Sequence, residues 1–181
     1  VSEGDRARWD ERYAGRGLPD ADAVGCPAVF APYEHLFPTA GRALDLACGQ
    51  GLAAVWLARR GVEVWGVDVS SMAISQARDL ARSSGVGDRC RFDVVDLDDG
   101  LPAGPPVDLL FCHRFRDDRL DRDIVRRLAP GGLLAISALS EVGAAPGPFR
   151  MAAGELPRAF GELEVIAAGE GDGEAWLLAK A

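Results

Sequence analysis

Short apolar runs alternate with stretches of helical spacing along most of this chain, and that alternation restricts the fold more than any other feature. Five runs read as strands: residues 42–47, 62–67, 90–95, 107–112 and 133–138. The fourth, Val107-Asp108-Leu109-Leu110-Phe111-Cys112, is almost continuously apolar, as a strand covered on both faces must be. Residues 52–60 have helical composition. The next helix is capped by Ser70 or Ser71, carries Met72, Ile74, Ala77, Leu80 and Ala81 at helical spacing, and breaks at residues 85–88. Residues 120–128 read as a helix stopped by Pro130-Gly131-Gly132, and 149–160 as a last helix interrupted near Pro157. Residues 96–106, acidic and rich in Gly and Pro, read as loop. Two closing strands, 163–166 and 175–178, flank a Gly-rich turn region at 169–173. The pattern predicts an α/β fold: a mostly parallel sheet, helices on both faces and an antiparallel C-terminal hairpin. A helical segment at residues 1–41 precedes a core at 42–181, all in one domain.

Composition narrows the function classes. A length of 181 residues is too short for two comfortable domains. The formal net charge is −8, and the bases are interspersed with acids, as in Asp117-Asp118-Arg119-Leu120-Asp121-Arg122-Asp123. That reads as a solvated face rather than a surface for a nucleic-acid backbone. No stretch has the length of apolar residues that a membrane span needs. The opening Val1-Ser2-Glu3-Gly4-Asp5-Arg6 is polar and charged, unlike a signal peptide. Cys26, Cys48, Cys90 and Cys112 form no CxxC pair and read as reduced thiols of a cytoplasmic protein. With only His35 and His113 as histidines, no metal site is expected. The expected state is a monomer or homodimer, with a small-molecule substrate and neither nucleic-acid nor membrane partner.

The segment Asp45-Leu46-Ala47-Cys48-Gly49-Gln50-Gly51 joins the first strand to the first core helix. Glycines at such a turn let the backbone approach a ligand closely. Asp45, inside the strand end, can organise hydrogen bonds toward an ammonium group. Asp68 ends the second strand, where a carboxylate can take both hydroxyls of a ribose. Asp96 ends the third and suits the exocyclic amine of adenine, with Asp93, Asp98 or Asp99 as substitutes should the register slip. Val69 and Leu97 supply apolar neighbours for the two faces of the base. Cys112, at the end of the fourth strand, belongs to the same rim, where open α/β sheets take their ligands.

These residues resemble the class I S-adenosylmethionine (SAM)-dependent methyltransferases. The residues from Asp45 to Gly51 match the family's glycine-rich motif, with Ala47 where a glycine is common; Cys48, Gly49 and Gly51 contribute backbone. Asp68 matches the acid after the second strand, and Asp96-Leu97 the adenine-side pair. Leu128-Ala129-Pro130-Gly131-Gly132 matches the turn before the fifth strand. The closing strands match the reversed final hairpin. The resemblance implies a Rossmann-like seven-stranded sheet of order 3-2-1-4-5-7-6, with SAM as cofactor and S-adenosylhomocysteine (SAH) as product. Trp9-Asp10-Glu11-Arg12-Tyr13 resembles a segment of small bacterial members of the tellurite- and thiol-methyltransferase type. It implies an N-terminal helix folded over the cofactor, with Trp9 and Tyr13 walling the sulfonium and Arg12 meeting the methionine carboxylate.

On the acceptor side, His113 lies just past the fourth strand, either as a base, as a substrate contact or as a loop histidine bonded to backbone. Arg114 and Phe115 beside it suit an anionic or flat acceptor. Phe149-Arg150-Met151, after the Gly/Pro-rich residues 143–148, is either a substrate lid or a plain loop. The expected chemistry is in-line methyl transfer to a small molecule, with sulfur, selenium, tellurium or oxygen as nucleophile. Two rivals stand beside it: a non-catalytic SAM-binding or interaction protein, and an NAD-dependent oxidoreductase. The latter is opposed by the missing third glycine, since Gly49-Gln50-Gly51 runs on into Leu52, Ala53 and Ala54, and by the terminal hairpin.

Overall fold

The computed structural model describes residues 3–145, 147 and 149–181, with Glu3 and Asp5 as backbone alone. Val1 and Ser2 of the polar opening stretch, and Pro146 and Pro148 of the stretch before Phe149, lie outside the described residues. The chain divides into two units, Val1–Ala103 and Gly104–Ala181.

The first unit runs helix Glu3–Arg16 (α1), strand Arg42–Leu46 (β1), helix Leu52–Arg59 (α2), strand Glu63–Asp68 (β2), helix Ser71–Ser83 (α3) and strand Cys90–Val94 (β3). β2 pairs in parallel with both β1 and β3, with Asp45 opposite Gly66 and Asp68 opposite Val94. α3 forms where the sequence predicts it. Ser70 is the cap, its Oγ accepting the Ala73 N–H at 3.1 Å, and Ala73, Ile74, Ala77, Leu80 and Ala81 are buried along one stripe. Gly51 starts α2 at a φ of +79°, and a Cβ there would lie 2.8 Å from that of Ala77. That glycine therefore seats α2 against α3.

Residues 17–41 differ from the expected helical segment. They hold two 3₁₀ turns, Ala21–Ala23 and Ala31–Leu36, and Phe30 and Phe37 are driven fully into the core. Phe37 packs edge-on to Trp56 of α2 with ring centroids 5.2 Å apart. Each buried phenyl ring contributes about 2 kcal/mol, so this stretch anchors α1 to the unit.

The second unit runs strand Val107–Cys112 (β4), helix Asp121–Arg127 (α4), strand Leu128–Leu139 (β5), helix Glu155–Ala159 (α5), and strands Glu164–Gly171 (β6) and Glu174–Lys180 (β7). β4 and β5 are parallel, while β7 runs antiparallel to both β5 and β6. The strands follow the order 3-2-1-4-5-7-6, as the resemblance implies. Three local expectations are corrected here. Pro130-Gly131-Gly132 does not turn the chain ahead of the fifth strand but lies inside it. Val107 pairs with Leu128 and Leu109 with Leu133, so residues 129–132 bulge from the ladder. Gly131, at a φ of +75°, donates its N–H to the Ala181 carbonyl. The last helix is shorter than 149–160, because Met151 pairs with the end of β5: its N–H donates to the Leu139 carbonyl at 2.9 Å. The hairpin strands are longer, for Asp172-Gly173 alone makes the turn, with φ of 51° and 79°. Gly169 inside β6 makes room for the Trp176 indole, 2.6 Å from where a Cβ would stand. Among the described residues no helix is long and apolar enough to cross a membrane.

Candidate active site

In the first unit, Asp45, Asp68 and Asp96 stand at or just past the C-terminal ends of their strands. Asp45 is 2% exposed, and its Oδ2 is buried without a hydrogen-bond partner. Burial, then the neighbouring Asp68, pushes its carboxyl well above the usual range. Asp68 accepts the Gly49 N–H on Oδ2 and the Ser70 N–H on Oδ1, each at 2.9 Å. Burial raises its pKa, and the backbone amides of Ser70 and Gly49 work against the rise. The turn between β1 and α2 is tied to β2 by the Cys48 N–H on the Val67 carbonyl at 3.0 Å. Ala47 and Gly49 both have a φ of 53°. Gly66 has no side chain where a Cβ would lie 2.7 Å from Phe92 and 3.0 Å from Cys48 Sγ. Burial, then Asp45, pushes the Cys48 thiol up, so it is a packed turn residue and no thiolate.

α1 covers this cradle. The Tyr13 hydroxyl sits over Gly49, 2.9 Å from where a Cβ would stand. Burial, then the charge of Asp68, pushes the phenol up to about 12. Trp9 stacks on Tyr13 with centroids 6.1 Å apart, and the Arg12 guanidinium lies 5.0 Å from the Trp9 ring. Arg12 is thus parked on Trp9. Sequence reasoning missed the residues that fasten the helix. Asp10 accepts from Ser70 Oγ at 2.5 Å and from the Met72 N–H at 3.1 Å, capping α3 from another element. Burial acts to raise its pKa, but the hydrogen bonds from Ser70, Met72 and Ser71 win and hold it below the usual range. Gln50 Nε2 donates to the Gly17 carbonyl and to Gln76 Oε1, each at 2.8 Å, and Gln76 Nε2 donates to the Tyr13 carbonyl at 3.2 Å. Asp96 accepts the Asp98 N–H on Oδ1 at 3.0 Å and Arg6 on Oδ2 at 3.4 Å. Asp93, one of its possible substitutes, instead binds Trp65 Nε1 at 2.8 Å and Arg91 at 2.6 Å. Leu97 is buried and Val69 half-buried.

In the second unit, Cys112 is buried at the end of β4 and His113 follows it. His113 Nδ1 lies 2.7 Å from Ser137 Oγ on β5, and the same oxygen accepts the Arg114 N–H at 3.1 Å. Arg114 holds a left-handed φ of 58° and donates its guanidinium to Glu174 Oε2 at 3.1 Å. Burial, then Arg114, lowers the His113 pKa against the pull of Glu174. Phe149 is 81% exposed at a φ of 65°, while Arg150 donates to the Ser140 and Gly173 carbonyls at 2.6 and 3.0 Å. Among the described residues no cluster of His, Cys, Asp and Glu could hold a metal ion.

Residues 43–132 match the family model for a methyltransferase domain, and the strand order is that of the class I fold. The chain carries a class I SAM-dependent methyltransferase domain. It is 39% identical over 112 residues to Methyltransferase GfsG of Streptomyces halstedii, across 58% of this chain and 40% of the relative. It is 31% identical over 149 residues to Ribosomal RNA small subunit methyltransferase C of Alcanivorax borkumensis, across 69% and 45%. The chain therefore spans less than half the length of these two curated relatives. Its fold superposes on the crystal structure of TehB from Haemophilus influenzae with a TM-score of 0.75 at 16% identity, across 95% of this chain and 66% of that one. The cradle of the methyltransferase domain fits SAM chemically. A buried carboxylate oxygen without a partner asks for a cation, and the amino-acid end of SAM carries an ammonium group.

Proposed function

We propose that this methyltransferase domain transfers a methyl group from SAM to a small-molecule acceptor. The observation that carries the reading is the partnerless buried oxygen of Asp45 beside an Asp68 carboxylate held by two backbone amides. Asp45 takes the ammonium group, Asp68 the ribose hydroxyls on its remaining lone pairs, and Asp96 the adenine amine between Val69 and Leu97. Ala47, Cys48, Gly49 and Gly51 offer backbone at close range. Trp9 and Tyr13 wall the cofactor from α1, and Arg12 leaves the Trp9 face to meet a carboxylate. Bound there, SAM supplies a methyl group on a sulfonium, which departs as the neutral thioether SAH. The protein's own work is to align the acceptor and exclude water, and the half-buried Tyr13 phenol over Gly49 serves the second task.

A net charge of −8 favours a small acceptor over a nucleic acid. The ribosomal RNA acceptor named for one relative supports a second reading, a macromolecular substrate. Binding of a ribosomal RNA fragment that weakens steeply with salt would favour that second reading.

Thermal unfolding with and without SAM and SAH tests the proposal. Ligand at about 100 times its dissociation constant adds about 2.7 kcal/mol, which raises the midpoint by several degrees. The shift should occur with both ligands and vanish in Asp68→Ala. No shift at about millimolar ligand would overturn the reading.

A further inference from the structure

The second unit holds a carboxylate that the cofactor cradle does not explain. Glu174, the first residue of β7, is mostly buried, and its Oε1 has no hydrogen-bond partner. That oxygen lies 3.8 Å from His113 Nδ1. Between the two elements stands Ser137, fully buried, whose hydroxyl meets both Nδ1 and the Arg114 N–H. We propose that Glu174, together with Ser137, is a positioning residue that holds His113 as its Nδ1–H tautomer, so that Nε2 takes the proton of a hydroxyl acceptor. The inference rests on the methyl-transfer reading above and names the acceptor class for it.

Counting lone pairs leaves the Ser137 hydroxyl able to accept from Nδ1 or to donate to it, and the charge of Glu174 decides between the two. A serine hydroxyl accepts two hydrogen bonds and donates one. The Arg114 N–H fills one acceptor position, and the left-handed backbone of Arg114 fixes it there. A proton on Nδ1 fills the other and faces the negative Glu174. The opposite tautomer would aim the Nδ1 lone pair toward a buried carboxylate. With Nδ1 so engaged, proton exchange runs through Nε2, on a ring that is 31% exposed.

The charges make the ring a usable base. Among the described residues Glu174 from β7, Arg114 after β4 and Ser137 from β5 face it. Burial keeps the ring neutral near pH 7, ready to accept. On transfer, the acceptor O–H bond breaks and leaves its electron pair on oxygen. The Nε2 lone pair forms the new N–H bond. The imidazolium then compensates the Glu174 oxygen that had no partner. A thiol ionises near neutral pH unaided, whereas a hydroxyl needs such a base. The cluster therefore fits a hydroxyl acceptor better than the thiol suggested by the N-terminal resemblance.

The test needs no acceptor. The chain has two histidines, so long-range ¹H–¹⁵N correlation spectra of ¹⁵N-histidine-labelled protein give two patterns, and His113→Gln assigns them. At about pH 8 the wild-type ring should show Nδ1 protonated and Nε2 bare. Glu174→Gln should move the population toward the Nε2–H form and lower the ring pKa by about a unit, and Glu174→Asp should restore part of both. A wild-type Nε2–H ring overturns the proposal, as does a folded Glu174→Gln with unchanged tautomer and pKa. Should Glu174→Gln fail to fold, Ser137→Ala asks the same question: mixed tautomers support the proposal and an unmixed Nδ1–H ring overturns it. The SAM-induced thermal shift, read on the same samples, keeps the two readings apart. A normal shift with the wrong tautomer sinks only this proposal, and a missing shift sinks the reading beneath it.

Discussion

Asp45 and Asp68 are neighbouring carboxylates in a place with little water, and after burial itself the charge of Asp68 makes Asp45 harder to ionise. Asn at position 45 keeps the shape and removes one charge. Asp45→Asn should leave the ligand-free protein at least as stable as wild type, yet weaken SAM binding more than about tenfold, because a buried ammonium then loses its counter-charge. Titration calorimetry separates these outcomes: unchanged affinity would remove Asp45 from the site. Ala47 presents a different residue-scale problem. Its φ of 53° costs an L-residue about 1–2 kcal/mol, which glycine avoids while adding freedom to the unfolded chain. Ala47→Gly should therefore raise the unfolding free energy, by up to about 1 kcal/mol in urea titration. A lower midpoint would mean that the alanine methyl packs usefully.

At the scale of elements, α1 is fastened to the cradle at several points, and Asp10 is the most connected of them. Asp10→Ala uncaps α3 from outside and should cost about 1 kcal/mol. Amide exchange should speed up along α1 while the β1–β2–β3 strands keep their protection; uniform acceleration would mean that Asp10 supports the whole unit. The elements were legible in the sequence to unequal degrees. Strands announced themselves because parallel strands must be apolar on both faces, and the glycine-rich turn did so because Gly49 and Gly51 sit between strand and helix. Pro130-Gly131-Gly132 looked like a stop because a bulge and a turn use the same residues, and only pairing with β4 distinguishes them. Ser137 was visible merely as a hydroxyl in an apolar run. Its partnership with His113 and Glu174 depends on the hairpin register, which a one-residue slip would invert. Asp10 was hidden because the cap it provides belongs to a helix about sixty residues away.

Over the whole chain, the buried acids set the response to pH. Folding raises the pKa values of Asp45 and Asp68 above 3.8, so the folded state binds more protons than the unfolded one between those values. Their contribution to stability is full below the unfolded value and is lost as pH rises through the folded values. The ligand-free protein should thus lose stability over the interval in which pH rises from the ordinary carboxylate range through the raised folded values, with Asp45→Asn giving a flatter profile in differential scanning fluorimetry. SAM should offset the loss, so that its stabilising increment grows over the same interval; an increment that shrinks with pH would contradict the pairing of Asp45 with an ammonium group. Trp9 gives this behaviour an optical consequence. Trp56 is buried, Trp65 is bonded to Asp93, and Trp176 lies against Gly169. Trp9 alone rides on α1, stacked with Tyr13 above the cradle. Changes in its ultraviolet emission, isolated by replacing the other three indoles with phenylalanine, would follow the covering helix in real time without any added dye.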